Sequence, residues 1–332
     1  MIRVERLSKT FRVPQKAPGL LASVRSLVRR EYTLKHAVRE ASFEIEEGEI
    51  VGLVGANGAG KTTLVKMLSG IVHPSSGTAT VLGHEPWRRS NELRSQLALI
   101  MGQKASLWWD LPAADGFLLL KEIYRIPDGV YRRRLEELTG ALGVEDELHT
   151  QVRRLSLGER MKMELVATLL HAPRVVFLDE PTIGLDLSAQ RAIREFLLRY
   201  REEHSPAMIL TSHYMEDIEA LCERLMLMQA GEVVFDGPLE RVLELHAPHK
   251  LVTAHLDPNQ PVPELAPGDL PGRVLSLTPD EVRLEVPREE VTAAAQALLS
   301  RLPAHDLSIE EVEVGTVIEQ IFRSGELPEE MR

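Results

Sequence analysis

One run of eight residues constrains the fold more than anything else in the chain. Gly55-Ala56-Asn57-Gly58-Ala59-Gly60-Lys61-Thr62 matches the pattern G-x-x-x-x-G-K-[ST]. It follows an unbroken apolar stretch, 50–54, that reads as a buried strand, and it precedes a helix-like run, 63–68, opened by Thr63. Strand, glycine loop and helix in that order call for an α/β fold with a mostly parallel sheet. Glycines permit positive φ and let backbone N–H groups close around an anion, and the following helix adds its positive end. Lys61 can neutralise β- and γ-phosphates, and the Thr62 hydroxyl suits Mg²⁺. The plain alternative, a glycine-rich turn with a surface lysine, does not explain the flanking strand and helix. The run implies a nucleotide-phosphate site.

A second element of that site lies at 174–180, beginning with Arg174. Val175-Val176-Phe177-Leu178 ends in Asp179-Glu180, the pattern of a central buried strand whose carboxyl end points at a ligand. Asp179 would hold Mg²⁺ directly or through water, and Glu180 could polarise an attacking water. Strands also end in Asp-Glu for turn reasons alone. The upstream phosphate loop favours the functional reading.

The rest of the chain organises around these two elements. Residues 2–7 and 42–47 alternate like short strands, and an insert at about 13–35 separates them. Within it, SVRSLVRREY carries apolar residues at helical spacing among arginines. That pattern fits a solvated surface helix, or a contact with lipid or a membrane partner. A mainly helical section, about 112–170, interrupts the α/β alternation that runs from 50 to 245. Residues 257–272 hold five Pro and two Gly and read as a loop. Around that loop, 246–332 reads as a small α+β domain, with strands at 251–256, 282–286 and 307–314 and helices at 288–301 and 316–323.

Composition narrows the class. The 332 residues carry a formal net charge of −11, which argues against a nucleic-acid wrapper. Residues 250–332 hold 7 of the 39 basic and 16 of the 50 acidic side chains, so −9 of that charge sits in the tail, and the motif layout then carries the exclusion. One cysteine, Cys222, cannot make an internal disulfide and fits a reducing compartment. The N-terminal run MIRVERLSKTF lacks the apolar core of a signal peptide, and no stretch approaches the roughly 20 apolar residues of a membrane span.

Further motifs identify a resemblance. Leu155-Ser156-Leu157-Gly158-Glu159-Arg160 resembles the L-S-G-G-Q-R signature of the nucleotide-binding subunits of ATP-binding cassette (ABC) transporters, and ends 19 residues before Asp179. The run from Asp179 to Asp186 resembles that family's Walker B and D-loop, Thr211-Ser212-His213 its switch histidine, and Gln103 stands where its Q-loop glutamine belongs. Six motifs in family order cover roughly residues 1–240. The resemblance implies an α/β P-loop NTPase: an ABC cassette at 1–245 with a RecA-like core, an antiparallel β subdomain and an α-helical subdomain at about 104–165. A small C-terminal α+β domain at 246–332 follows.

The resemblance also implies roles. Two cassettes pack head to tail, so Ser156 and the Gly158 amide would bind the γ-phosphate of ATP held by the facing subunit. Glu180, His213 and Gln103 would act in hydrolysis, Thr62, Gln103 and Asp179 would hold Mg²⁺, and Asp186 would belong to the D-loop. Leu157 and Glu159 depart from the signature's glycine and glutamine. A carboxylate there repels phosphate unless it points away or pairs with a base such as Arg153 or Arg154. Adenine would stack on Phe11, with Tyr32 as competitor and plain core as the other reading of Phe11. Trp108 and Trp109 lie where such subunits meet their membrane partner; a partly buried structural pair is the alternative.

Among family members, the stretches MGQKASLWWDLP, LSLGERMKMEL and FLDEPTIGLD look like exporter-type ATPases that pair with separate integral membrane permease subunits. This implies a dimer at the cytoplasmic face of the cell membrane, driving export of a small amphipathic or drug-like compound with ATP and Mg²⁺. A polysaccharide or lipid exporter is the runner-up. A non-transport ABC ATPase is disfavoured, since there is one cassette and no sustained heptad insertion.

Overall fold

The computed structural model describes residues 1–14, 32–101, 106–246, 249–257, 260, 270–311 and 318. They form two compact units, Met1–Gly237 and Pro238–Arg332.

The first unit is built on two sheets. β1 (Ile2–Pro14), β2 (Tyr32–Ile45) and β4 (Ser76–Val81) make an antiparallel sheet in the order β2-β1-β4. β3 (Ile50–Val54), β5 (Leu97–Met101), β6 (Val175–Asp179), β7 (Ala207–Thr211), β8 (Arg224–Gln229) and β9 (Glu232–Pro238) make a second, ordered β5-β6-β7-β3-β8-β9. Its neighbours from β5 to β8 run parallel. Every residue of β3, β6 and β7 is buried, which is why these strands read as continuous apolar runs and not as alternation. One buried cluster joins Ile2, Val4 and Leu7 of the first sheet to Val51 and Leu53 of the second. Leu64, Met67 and Leu68 of helix α1 (Lys61–Leu68) fill the same cluster.

Helices α3 (Ala113–Tyr124), α4 (Asp128–Leu142) and α5 (Leu157–Leu169) form the helical section, after the short α2 (Asn91–Arg94). α5 packs on β5, on α3 and α4, and on α6 (Leu187–His204), so it links the helical section to the sheet. α7 (Met215–Leu221) then leads into β8.

The first two strands are longer than the alternation at 2–7 and 42–47 suggests. β1 continues to Pro14 and β2 starts at Tyr32, with Pro14 paired to Tyr32. Residues 13–14 and 32–35, assigned to an insert from sequence, are therefore strand. Their side chains are exposed on both faces, so no hydrophobic alternation marks them. The rest of that insert, 15–31, with the helical run except Tyr32, lies outside the described residues.

The second unit begins with α8 (Leu239–His246). An antiparallel sheet follows, ordered β11-β12-β10-β13, from β10 (His249–Leu256), β11 (Arg273–Leu277), β12 (Glu281–Pro287) and β13 (Ala304–Glu311). α9 (Val291–Arg301) covers one face, burying Ala294 and Leu298 against Val252, Ala254, Val282 and Leu284. β11 has no counterpart in the sequence reading. It is an edge strand with little burial, and the sequence pattern marks only the inner strands. The helix expected at 316–323 lies outside the described residues except at Ile318.

Candidate functional site

The phosphate loop is framed by strands on both sides. Gly55 leaves β3 where a Cβ would stand 2.3 Å from the Met228 carbonyl oxygen, so only glycine fits. Gly60, at φ +114°, has its missing Cβ position 2.2 Å from the Ala37 carbonyl oxygen. The Gly231 amide donates to the Ala59 carbonyl at 2.9 Å, and the Arg39 amide donates to the Gly231 carbonyl at 2.7 Å. Asn57 and Gly58 are exposed at the tip, Ala59 is buried beneath it, and Thr63 is half-buried in the first turn of α1.

Lys61 is buried, and its ammonium donates to the Gly55 carbonyl at 2.5 Å and the Ala56 carbonyl at 3.3 Å. Burial pulls its pKa below the ordinary lysine value, and the carboxylates of Glu180 and Asp179 oppose that pull. The ammonium thus rests on loop carbonyls at the start of α1, where the free N–H groups of a helix favour an anion.

The carboxyl ends of β6 and β7 bring the other groups to this loop. Asp179 and Thr211 are cross-strand partners. The Thr211 hydroxyl donates to Asp179 Oδ1 at 2.7 Å, and the Thr62 hydroxyl reaches the same oxygen at 3.5 Å. The Glu180 amide donates to the Thr211 hydroxyl oxygen at 3.1 Å and to its carbonyl at 3.0 Å. Glu180 takes left-handed backbone geometry, φ +57°, which turns its side chain off the strand line. Its Oε1 lies 3.0 Å from His213 Nε2. Lys61, Thr62, Asp179, Glu180 and His213 thus share one site. The Thr211 hydroxyl, which ties Asp179 to Glu180, lies within the switch-histidine run, where the motif assigns it no role of its own; its signal is its place at the end of an apolar run.

The signature run forms a second group. Ser156 caps α5, accepting from the Glu159 amide at 3.2 Å, while the Glu159 carboxylate accepts from the Ser156 amide at 2.8 Å. This reciprocal box answers the charge problem at 159: the carboxylate turns back onto its own helix start and takes no partner from Arg153 or Arg154. Arg153 instead pairs with Asp110 at 2.9 Å. A Cβ on Gly158 would stand 3.0 Å from Ala189 Cβ, and one on Gly184 3.4 Å from a Leu157 methyl. Asp186 caps α6 through the Ala189 amide at 2.9 Å. The two hydrogen bonds of the signature cap stay within the run itself and do not reach the phosphate loop.

Gln103 lies outside the described residues. Phe11 is exposed on β1 with the Lys9 ammonium 5.1 Å from its ring centre, so it is not a core residue; Tyr32 is also exposed. Trp108 and Trp109 are both exposed, and the Arg160 guanidinium stands 5.0 Å from the Trp109 ring. Leu111, Leu118, Leu119 and Ile123, on the adjoining loop and α3, are exposed as well.

Comparison with known proteins agrees with this geometry. A family profile described as ABC transporter matches residues 38–183, and one described as EvrA-like ABC transporter, C-terminal domain, matches 248–310. The chain is 33% identical over 208 residues to the ABC transporter ATP-binding protein NatA of Bacillus subtilis, covering 63% of this chain and 84% of that protein. It is 31% identical over 262 residues to Nod factor export ATP-binding protein I of Rhizobium leguminosarum, covering 79% and 80%. It is 30% identical over 210 residues to the linearmycin resistance ATP-binding protein LnrL of Bacillus subtilis, covering 63% and 67%. Among solved structures, an ATP-binding subunit of an ABC transporter superposes with a TM-score of 0.61 at 24% identity, over 74% of this chain and 92% of that one. A cassette solved as a dimer after hydrolysis, with ADP and Pi bound, gives 0.59 at 21% identity, over 72% and 98%. Loop, paired strand ends, capped signature helix and relatives lead to one assignment: the chain belongs to the ATP-binding subunits of ABC transporters, a family that hydrolyses ATP and whose relatives here include export ATPases.

Proposed function

We propose that this chain binds and hydrolyses ATP as the energy subunit of an export-type ABC transporter, paired head to tail with a second cassette on separate permease subunits. The observation that carries the proposal is the hydrogen-bonded line Thr62–Asp179–Thr211–Glu180–His213 beside the lysine-bearing loop.

In this reading the loop amides and Lys61 hold the β- and γ-phosphates. Thr62 and Asp179 offer the hard oxygen donors that suit Mg²⁺, with Gln103 as a further ligand. Bound there, Mg²⁺ supplies neutralisation of phosphate charge. Glu180 accepts a proton from, or polarises, the attacking water, and His213, held by Glu180, keeps that water in line with the γ-phosphate. From the facing subunit, Ser156 and the Gly158 amide complete the phosphate shell. Ser156 can do so because its capping bond uses the oxygen as acceptor, leaving its hydroxyl proton to donate. Phe11 supplies the adenine platform, and Asp186 orders the segment between the paired sites.

The exposed Trp108, Trp109, Leu118 and Ile123 fit a permease contact, since clustered aromatics and leucines outside a core mark interfaces. In this reading the chain sits peripherally at the cytoplasmic face of the membrane; among the described residues no helix is long and apolar enough to cross it. A relative named for Nod factor export supports cargo moved outward, and one named for linearmycin resistance fits a drug-like compound; the amphipathic character of the cargo is part of the proposal. The accessory unit, about 246–332, would support the dimer or regulate it.

The test is to capture the tagged chain from detergent-solubilised membranes, identify its partners by mass, and compare ATPase activity with Lys61→Ala. Recovery of an integral permease, with activity lost in the variant, is expected. Recovery without any membrane protein, or full activity in Lys61→Ala, would overturn the proposal.

A further inference from the structure

Behind the contact between Glu180 and His213 lies a buried polar cluster with no role in the reading above. Its centre is Asp217, on α7, which has no solvent exposure. Three donors converge on its carboxylate. The Thr182 hydroxyl and the Ser212 hydroxyl, the latter at 2.7 Å, both donate to Oδ2, and Arg194 Nε donates to Oδ1 at 2.5 Å. Thr182 and Ser212 are themselves buried. The Arg194 guanidinium also forms an ion pair with it, so both carboxylate oxygens are held.

The sequence positions of the donors give the cluster its meaning. Thr182 follows Glu180 by two residues, and Ser212 immediately precedes His213. The Ser212 oxygen also accepts from the Tyr214 amide at 3.0 Å, closing the turn around His213. The Tyr214 hydroxyl lies 3.4 Å from the Gly184 amide, across to the segment that leaves Glu180. Arg194 belongs to α6, which Asp186 caps, and reaches Gln190 at 3.4 Å; Gln190 in turn donates to the Leu185 carbonyl at 3.2 Å. Both backbone segments that aim the Glu180–His213 pair are therefore tied to one carboxylate.

We propose that Asp217 is a positioning residue for hydrolysis: through Thr182 and Ser212 it fixes the separation of Glu180 and His213, which it does not itself touch. The inference rests on the reading of that pair as hydrolytic. A buried ion pair is weak evidence for stability by itself, since desolvation offsets most of its attraction. Its effect is expected in the geometry of the reacting groups, where a displacement of about 1 Å can cost on the order of a hundredfold in rate.

The test uses the full chain and measures kcat, KM for ATP, nucleotide affinity and melting temperature. Asp217→Asn and Thr182→Val are expected to lower kcat about tenfold or more, with KM and nucleotide affinity within about twofold. Thr182→Ser, which restores the hydroxyl, is expected to recover most of the turnover lost in Thr182→Val. In a double-mutant cycle, Asp217→Asn and Thr182→Val should fall well short of additive, because they break the same tie. Unchanged kcat in folded Thr182→Val overturns the proposal. A parallel loss of kcat, nucleotide affinity and melting temperature also overturns it, since that is what a merely structural role produces. If Asp217→Asn does not fold, the Thr182→Val and Thr182→Ser pair decides. Glu180→Gln separates the two layers: near wild-type turnover there removes the hydrolytic reading, while loss of turnover there with intact turnover in the Thr182 variants removes this inference alone.

Discussion

Two glycines of the phosphate loop differ in what they require, and the difference can be measured. Gly58 has φ +83° and nothing within 4 Å of the position an added methyl would take, so alanine there meets only the backbone cost of a left-handed residue. That cost is about 1 to 2 kcal/mol. Gly60 has φ +114°, and its added Cβ would stand 2.2 Å from the Ala37 carbonyl oxygen and 2.8 Å from the Met228 methyl. The methyl can swing away; the carbonyl cannot. Ala37 belongs to β2, and Gly231 pins both that strand, through the Arg39 amide, and the loop, through the Ala59 carbonyl. Moving either one breaks a backbone hydrogen bond. Gly60→Ala therefore incurs backbone strain of about 1 to 3 kcal/mol and overpacking of about the same size, near 4 kcal/mol together. For a unit of this size about 3 °C of melting temperature corresponds to 1 kcal/mol, so Gly60→Ala should melt roughly 10 °C lower and Gly58→Ala roughly 4 °C lower. Thermal unfolding without nucleotide is the assay, because it keeps ligand contacts out of the comparison. Equal shifts in the two variants, or a shift below about 2 °C in Gly60→Ala, would refute the claim that the loop is clamped against β2.

Glu180→Gln keeps a hydrogen-bond acceptor for His213 but loses the charge; turnover should fall about 10²- to 10⁴-fold while ATP binding persists and a nucleotide-bound dimer accumulates in size-exclusion chromatography. His171 stacks on Tyr124 with ring centres 3.9 Å apart, and burial lowers its pKa to about 4. The unfolded chain therefore binds the extra proton first, and stability present above pH about 6.5 drains away as pH falls towards 4, by about 3 kcal/mol; His171→Phe should flatten urea-melt stability across that window, and an unchanged slope would count against it. Glu159→Gln preserves the capping box, so melting should move by less than about 2 °C while affinity of the nucleotide-driven dimer rises; a large loss of stability would mean the carboxylate charge itself holds the cap. A chain of residues 1–246 should fold and bind ATP by equilibrium titration, and failure to fold would show that the cassette depends on the second unit.

The motifs were legible because the chemistry dictates residue type. No other side chains replace Gly60 under the Ala37 carbonyl, or Lys61 among loop carbonyls, so those positions carry their function in the sequence. Buried strands were legible for a different reason: β3, β6 and β7 are buried throughout and apolar up to the polar residues, Asp179 and Thr211, that end β6 and β7. What escaped were features whose residue types are interchangeable in water. The outer halves of β1 and β2 are exposed on both faces, and the edge strand β11 buries almost nothing, so neither leaves a periodic trace. Asp217 escaped because an acidic residue in an acidic helical stretch reads as solvated, and only the fold brings Thr182, Ser212 and Arg194 to it.

The departures at the signature show how one local structure serves two demands. In the proposed function the N-terminus of α5 faces an anion and needs that end free of competing charge, yet residue 159 is a glutamate. Placed three residues after the cap, its carboxylate finds the Ser156 amide at 2.8 Å and the favourable positive end of α5. The charge is thereby consumed in building the helix start that it would otherwise spoil. Ser156 answers in the same geometry, committing an oxygen lone pair to the Glu159 amide and keeping its proton. Leu157 stands over Gly184, which has φ +75° and where an added Cβ would meet the leucine methyl at 3.4 Å, an ordinary contact. The leucine at a glycine position of the signature is thus accommodated against Gly184, in the segment that follows Glu180.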